Sequence, residues 1–127
     1  MIVLDASALL ALINREPGWQ VVARAAAGDD ATISAVNHSE VLQKTARVGI
    51  AAEEIDSALD ELVITVTPFG RLDARLAASF YRHRSDLSLA DRVCLALGRS
   101  LSSATYTTDR NWEDWADDFG VTVVVIR

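Results

Sequence analysis

Acidic side chains are the residues of this chain best placed to do chemistry, and three stand at informative positions. Asp5 directly follows the apolar run Ile2 to Leu4, and Asp109 follows Ala104 to Thr107. If those runs are strands, both carboxylates project from strand ends. Asp91 lies in Leu-Ala-Asp-Arg-Val-Cys-Leu-Ala-Leu, a helix that is apolar nearly all round and therefore reads as buried, where a carboxylate needs a partner. Carboxylates gathered at one place repel one another, and at least one pKa rises unless a divalent cation removes the conflict. Each acid also has a plain structural use: Asp5 as a helix N-cap, Asp109 as a turn residue in Thr-Asp-Arg-Asn, and Asp91 as half of a capping box with Ser88. Glu40 differs, because its helix projection groups it with Val36, Gln43 and Arg47, opposite Val41, Leu42, Thr45 and Ala46. Periodicity alone makes it solvated. Ser7, Thr107 and Asn111 flank the acids and are able to position a ligand or simply to hold the loops.

The elements that must position these groups follow from the pattern of apolar residues. Ile2 to Leu4 reads as a buried strand turning into a helix at Asp5, and Trp19 to Ala26 as a short second helix. Ala31 to Ile33 is the second strand, capped into a helix over Ala35 to Val48 by Ser34. Gly49 ends that helix, and Ala51 to Glu61 completes a helical hairpin. Val63 to Pro68 is β-branched enough for a third strand. Phe69, Leu72, Leu76 and Phe80 then mark the apolar face of a helix, with Arg71, Arg75 and Arg82 opposite. Ser88 to Ser100 is helical, Ala104 to Thr107 a short strand, Asn111 to Asp118 a turn or short helix, and Val121 to Ile126 the last strand. Such alternation implies a parallel sheet with helices on both sides, and a ligand site beyond the carboxyl ends of the strands.

The 127 residues, half of them apolar, fit a single domain over 1–127 with a core of its own. Nothing resembles a signal peptide and no apolar run is long enough to span a bilayer, so a soluble, cytoplasmic protein with no membrane partner is expected. Cys94 is the only cysteine, which excludes an intrachain disulfide and a multi-cysteine zinc site and suits core packing. The runs containing Glu53, Glu54, Asp56, Asp60, Glu61, Glu113, Asp114, Asp117 and Asp118 read as solvated faces.

Taken together, Ile-Val-Leu-Asp5-Ala-Ser7-Ala, Ser39-Glu40-Val41, Leu87-Ser-Leu-Ala-Asp91-Arg-Val-Cys and Thr107-Thr-Asp109-Arg-Asn-Trp112 resemble the PIN-domain nucleases, most of all their VapC-type toxin branch. The resemblance runs through essentially the whole chain in the right order. It implies an α/β fold, a three-layer α/β/α sandwich around a mostly parallel five-stranded sheet. It implies that Asp5, Glu40, Asp91 and Asp109 are catalytic and bind the metal, with Ser7, Thr107 and Asn111 in support. It further implies an endoribonuclease using Mg²⁺ or Mn²⁺, a homodimer, and neutralisation by a small VapB-like antitoxin. The strand Ala-Thr-Tyr-Thr-Thr is less aliphatic than is usual before the last acid, which suggests a short or edge strand. Asn111 stands where some relatives carry a further acid, so one or two metals both fit.

A net charge of −6 from 18 acidic and 12 basic residues argues at first against a polyanionic substrate. Four acids neutralised by metal leave the rest nearly balanced, and every basic residue but Lys44 is Arg, which grips phosphate with two hydrogen bonds. The expected reaction is in-line attack on an RNA phosphodiester by metal-activated water, giving 3′-hydroxyl and 5′-phosphate ends. A metal-free route through His38 and His83 is disfavoured, as is base stacking by Trp19, Trp112 or Trp115, whose better use is packing. A response-regulator phosphoacceptor domain would need a lysine after a late strand, and a haloacid-dehalogenase-like phosphatase a second Asp where Ser7 stands. The alternative of weight is a catalytically silent PIN-like module that binds RNA or protein.

Overall fold

In the computed structural model, which describes all residues 1–127, the strands are β1 (Ile2–Leu4), β2 (Ala31–Ser34), β3 (Ile64–Thr67), β4 (Ala104–Thr107) and β5 (Val123–Val125). They form one sheet in the order β3-β2-β1-β4-β5, every neighbouring pair parallel. The helices are α1 (Ala6–Asn14), α2 (Trp19–Gly28), α3 (Ala35–Ala46), α4 (Ala52–Leu62), α5 (Arg71–Ser79), α6 (Leu89–Ser100) and α7 (Ala116–Phe119), with a 3-10 turn over Arg110–Trp115. None is long and apolar enough to cross a membrane.

Side chains alternate across a strand, and β1 shows the consequence. Ile2 and Leu4 pack with Leu9, Val22, Ile33, Val41, Ile55 and Leu59 in a core that draws on α1 to α4. Val3 faces the other way, into a second core with Ala77, Phe80, Val93, Leu95, Trp112 and Phe119 from α5, α6 and the C-terminal turns. The molecule is therefore a three-layer α/β/α sandwich. From β1 the chain winds outward through β2 and β3, then returns to the other side of β1 for β4 and β5. That reversal makes the carboxyl ends of β1 and β4 a topological switch point, where ligand crevices form in open parallel sheets. Leu4 pairs with both Ile33 and Tyr106, so Asp5, just past β1, stands level with Ser34 and Thr107, the last residues of β2 and β4.

Several sequence expectations need correction. β4 is interior, between β1 and β5, and not an edge strand; its threonines are tolerated because they are bonded, Thr105 donating to the Thr122 carbonyl at 3.1 Å and Thr107 to Asp5. Val63 does not open β3 but closes α4 in the left-handed conformation, φ 55°, and Val121 and Ile126 flank a shorter β5. The apolar face expected for α5 is only half used: Ala77 and Phe80 are buried, whereas Leu72 is 75% exposed, because the first turn of α5 lies clear of the second core. Arg82 is not on that helix; it follows it, bonded to Asp118 at 3.0 Å with its guanidinium over Phe119. Helix α6 enters the core only from Val93 to Gly98, and Leu89 stays 60% exposed. Gly98 lets it press on β4, since a Cβ there would come within 2.4 Å of Thr105.

Candidate active site

Asp5 caps α1 and is buried, with every carboxylate bond accounted for. Its Oδ1 accepts from the Ser7 hydroxyl at 2.7 Å and the Ala8 amide at 2.7 Å, and its Oδ2 from the Thr107 hydroxyl at 2.6 Å. Both hydroxyls are themselves held from the loop after β4: Ser7 accepts the Thr108 amide at 3.0 Å, and Thr107 accepts the Asp109 amide at 3.1 Å. With an N–H already pointing at each oxygen, each hydroxyl proton is directed to Asp5. The cap and the putting together of two strand ends are thus one network.

Asp109 is exposed and caps the 3-10 turn, accepting the Asn111 amide at 2.9 Å. Asp91 is half-buried in the first turn of α6, in the capping box expected for it: Ser88 N–H reaches its Oδ2 at 3.0 Å, and its own amide reaches Ser88 Oγ at 3.1 Å. Glu40 is half-buried, whereas Gln43 and Arg47 of the same stripe are exposed as periodicity has it. Glu40 accepts from Asn37 Nδ2 at 3.1 Å.

The electrostatics show that these acids share a neighbourhood. Burial raises the Asp5 carboxyl above its ordinary range, against the pull of its three hydrogen bonds, and the Asp91 charge adds to the rise. Burial likewise raises Asp91, with Asp109 and Glu40 contributing repulsion. Beneath them the buried Cys94 thiol is pushed well above 9.0, by burial first and then by Asp5, Asp91 and Glu40. Three acids from α3, α6 and the end of β1 therefore act on one thiol, and the fourth acts on Asp91. None has a cationic partner: the chain's ion pairs are Met1 amino to Asp29, His38 to Asp56 and Arg82 to Asp118. Each acid is turned to a protein donor, and no three close on a common coordinating point.

Other residues read from sequence divide clearly. Asn111 donates its backbone amide to Asp109, and its Nδ2 is buried without a partner. Trp112 is fully buried and Trp115 stacks on Phe119; Trp19 lies under Arg15. His38 faces Asp56 at 3.5 Å, and His83 is exposed. The residue that sequence reasoning missed is Asn37, which is 1% exposed. Its signal was Ser34-Ala-Val-Asn37, an amide one turn after a capping serine.

A family model described as PIN domain matches residues 2–117. Among solved structures, the chain is similar to a toxin–antitoxin complex from Klebsiella pneumoniae, with TM-score 0.76 and 18% identity over 100% of this chain and 98% of that one. It is similar to FitAcB from Neisseria gonorrhoeae, with TM-score 0.72 and 22% identity over 97% and 96% of the two chains. It is also similar to VapBC2 from Rickettsia felis bound to a DNA fragment from its promoter, with TM-score 0.68 and 15% identity over 98% of each. At such identities the likeness is one of fold. No curated protein matches the sequence.

Proposed function

Given that this chain belongs to the PIN domain family, we propose that it is a metal-dependent endoribonuclease acting as the toxin of a toxin–antitoxin pair. The observation that carries this reading is the link between Asp5, at the end of β1, and the loop that bears Asp109, made through the Thr107 hydroxyl, with no cation paired to either acid. An all-oxygen donor set suits Mg²⁺ or Mn²⁺ and is a poor match for zinc. Asp5, Glu40, Asp91 and Asp109 would hold the ion after turning from their present donors, with Asn111 in support.

When bound, the ion supplies the charge that lowers the pKa of water and steadies the charge developing on a phosphodiester. The chain's own part is positional. Ser7 and Thr107 commit their protons to Asp5, which keeps it an acceptor, and they pin the loop that carries Asp109. Ser88 holds Asp91 in the first turn of α6, where the helix dipole favours an anion. Arg71 and Arg75 are exposed and free to meet RNA phosphates, and Arg82 is already engaged.

The similar folds found in toxin–antitoxin complexes support a short VapB-like antitoxin as partner, and we expect a cytoplasmic homodimer. The test is cleavage of structured RNA with Mg²⁺ or Mn²⁺, comparing wild type with Asp5→Asn and Asp91→Asn. The wild type should leave 5′-phosphate and 3′-hydroxyl ends and the variants should leave the RNA intact. Equal cleavage by all three would sink the carboxylate mechanism, and RNA binding without cutting would favour a silent module. Growth arrest on expression, relieved by a short protein encoded beside the gene, tests the toxin role.

A further inference from the structure

We infer that Asn37 is a positioning residue of this site, holding the Glu40 carboxylate and tying it to the first turn of α6 so that Glu40 and Asp91 are presented together. The inference rests on the metal-binding reading above. Helix α3 packs with the core on one face of the sheet, through Val41, and α6 with the core on the other, through Val93 and Leu95. Their acids can act together only if the two N-terminal turns are joined over the sheet end. Asn37 makes that join: its Nδ2 donates to Glu40 Oε2 at 3.1 Å and to the Ala90 carbonyl, next to Asp91, at 3.1 Å.

The orientation of the amide follows from its other end. Ser34 Oγ accepts the Asn37 backbone amide at 3.1 Å, so its own proton is free for Asn37 Oδ1, 2.7 Å away. That end of the side chain must be oxygen, which leaves both Nδ2 protons for Glu40 and Ala90. The side chain is 1% exposed, so water cannot substitute for it. Helix capping alone needs only Ser34; the two remaining bonds lead away from the cap and into the acid cluster. Residues that orient metal-binding groups in this way set metal affinity, and their removal weakens it about ten- to a hundredfold.

The experiment is titration of the purified metal-free protein with Mn²⁺ by calorimetry, for wild type, Asn37→Ala, Asn37→Ser, Glu40→Gln and the two double variants. Both Asn37 variants should bind Mn²⁺ about ten- to a hundredfold more weakly than wild type. In the Glu40→Gln background the same changes should add little, because Asn37 acts through that carboxylate. Circular dichroism identifies any variant that fails to fold. Asn37→Ser, which keeps a polar group against Ser34, carries the test if the alanine form is lost. Wild-type affinity in a folded Asn37 variant, or an equal loss in both backgrounds, would overturn the inference. Absence of Mn²⁺ binding by the wild type would instead overturn the metal reading itself.

Discussion

Asp5 and Asp29 are the same residue type at opposite ends of one sheet, and the fold treats them in opposite ways. Asp29 lies just before β2, exposed, with its Oδ2 2.6 Å from the Met1 amino group. The hydrogen bond from that ammonium, helped by the Asp30 amide, holds its pKa below the ordinary value. Asp5 lies just after β1, buried, with hydroxyls and an amide in place of a cation, and its pKa is raised. Charge at the amino end of the sheet is settled by local pairing in water. At the carboxyl end burial and neighbouring acids raise the Asp5 and Asp91 pKa values, a conflict that a bound cation would relieve on the reading proposed above.

The largest test of this contrast is catalytic. Asp5→Asn and Asp91→Asn should each reduce RNA cleavage by roughly a thousandfold or more in single-turnover assays, whereas Asp29→Asn should cleave as the wild type does. Next comes Thr107→Val, which removes the donor to Asp5 and the acceptor for the Asp109 amide. It should lower activity about ten- to a hundredfold and destabilise the fold by about 1–3 kcal/mol in urea unfolding. Thr107→Ser should restore most of both.

A smaller effect concerns pH. Asp5 and Asp91 have raised pKa values, so the folded chain keeps those protons to higher pH than the unfolded chain. The stability they lend is complete below the unfolded carboxylate value and is lost as pH rises through the two raised values. In EDTA, Asp91→Asn should therefore gain on wild type by about a few degrees in Tm as pH rises above the unfolded carboxylate value, and Mg²⁺ should close the gap. Asp29 has the opposite sign: its contribution is present above the unfolded value and is lost as pH falls through its lowered pKa. The smallest expected effect is that of Asp29→Asn at neutral pH, a change of no more than about two degrees in Tm. A larger shift would mean that the amino end of the sheet also depends on its charges.

How much of this was legible in the sequence depended on whether a residue's partner was near in sequence. Asp5 and Ser88–Asp91 are capping residues, and capping is local, so both positions could be read directly. The parallel sheet followed from short β-branched runs separated by helical lengths. The burial of Thr105 and Thr107 in an interior strand was not legible, because the groups that accept from them, the Thr122 carbonyl and Asp5, are remote in the sequence. Periodicity did not place Glu40, although its donor, Asn37, is only three residues away. Helical period separates core from everything else and does not tell a half-buried acid from the exposed residues of the same stripe. The exposed start of α5 reflects what packs over it, which its own pattern of leucines does not contain.

The bond from Thr107 to Asp5 joins residues 102 positions apart, and this bears on the order in which the chain is made. A nascent chain carries Asp5, Glu40 and Asp91 well before the segment that locks Asp5 in place and brings Asp109. Domains form as units once their whole sequence is available. The acids therefore cannot be assembled in a nascent chain until the segment carrying Thr107 and Asp109 has been made.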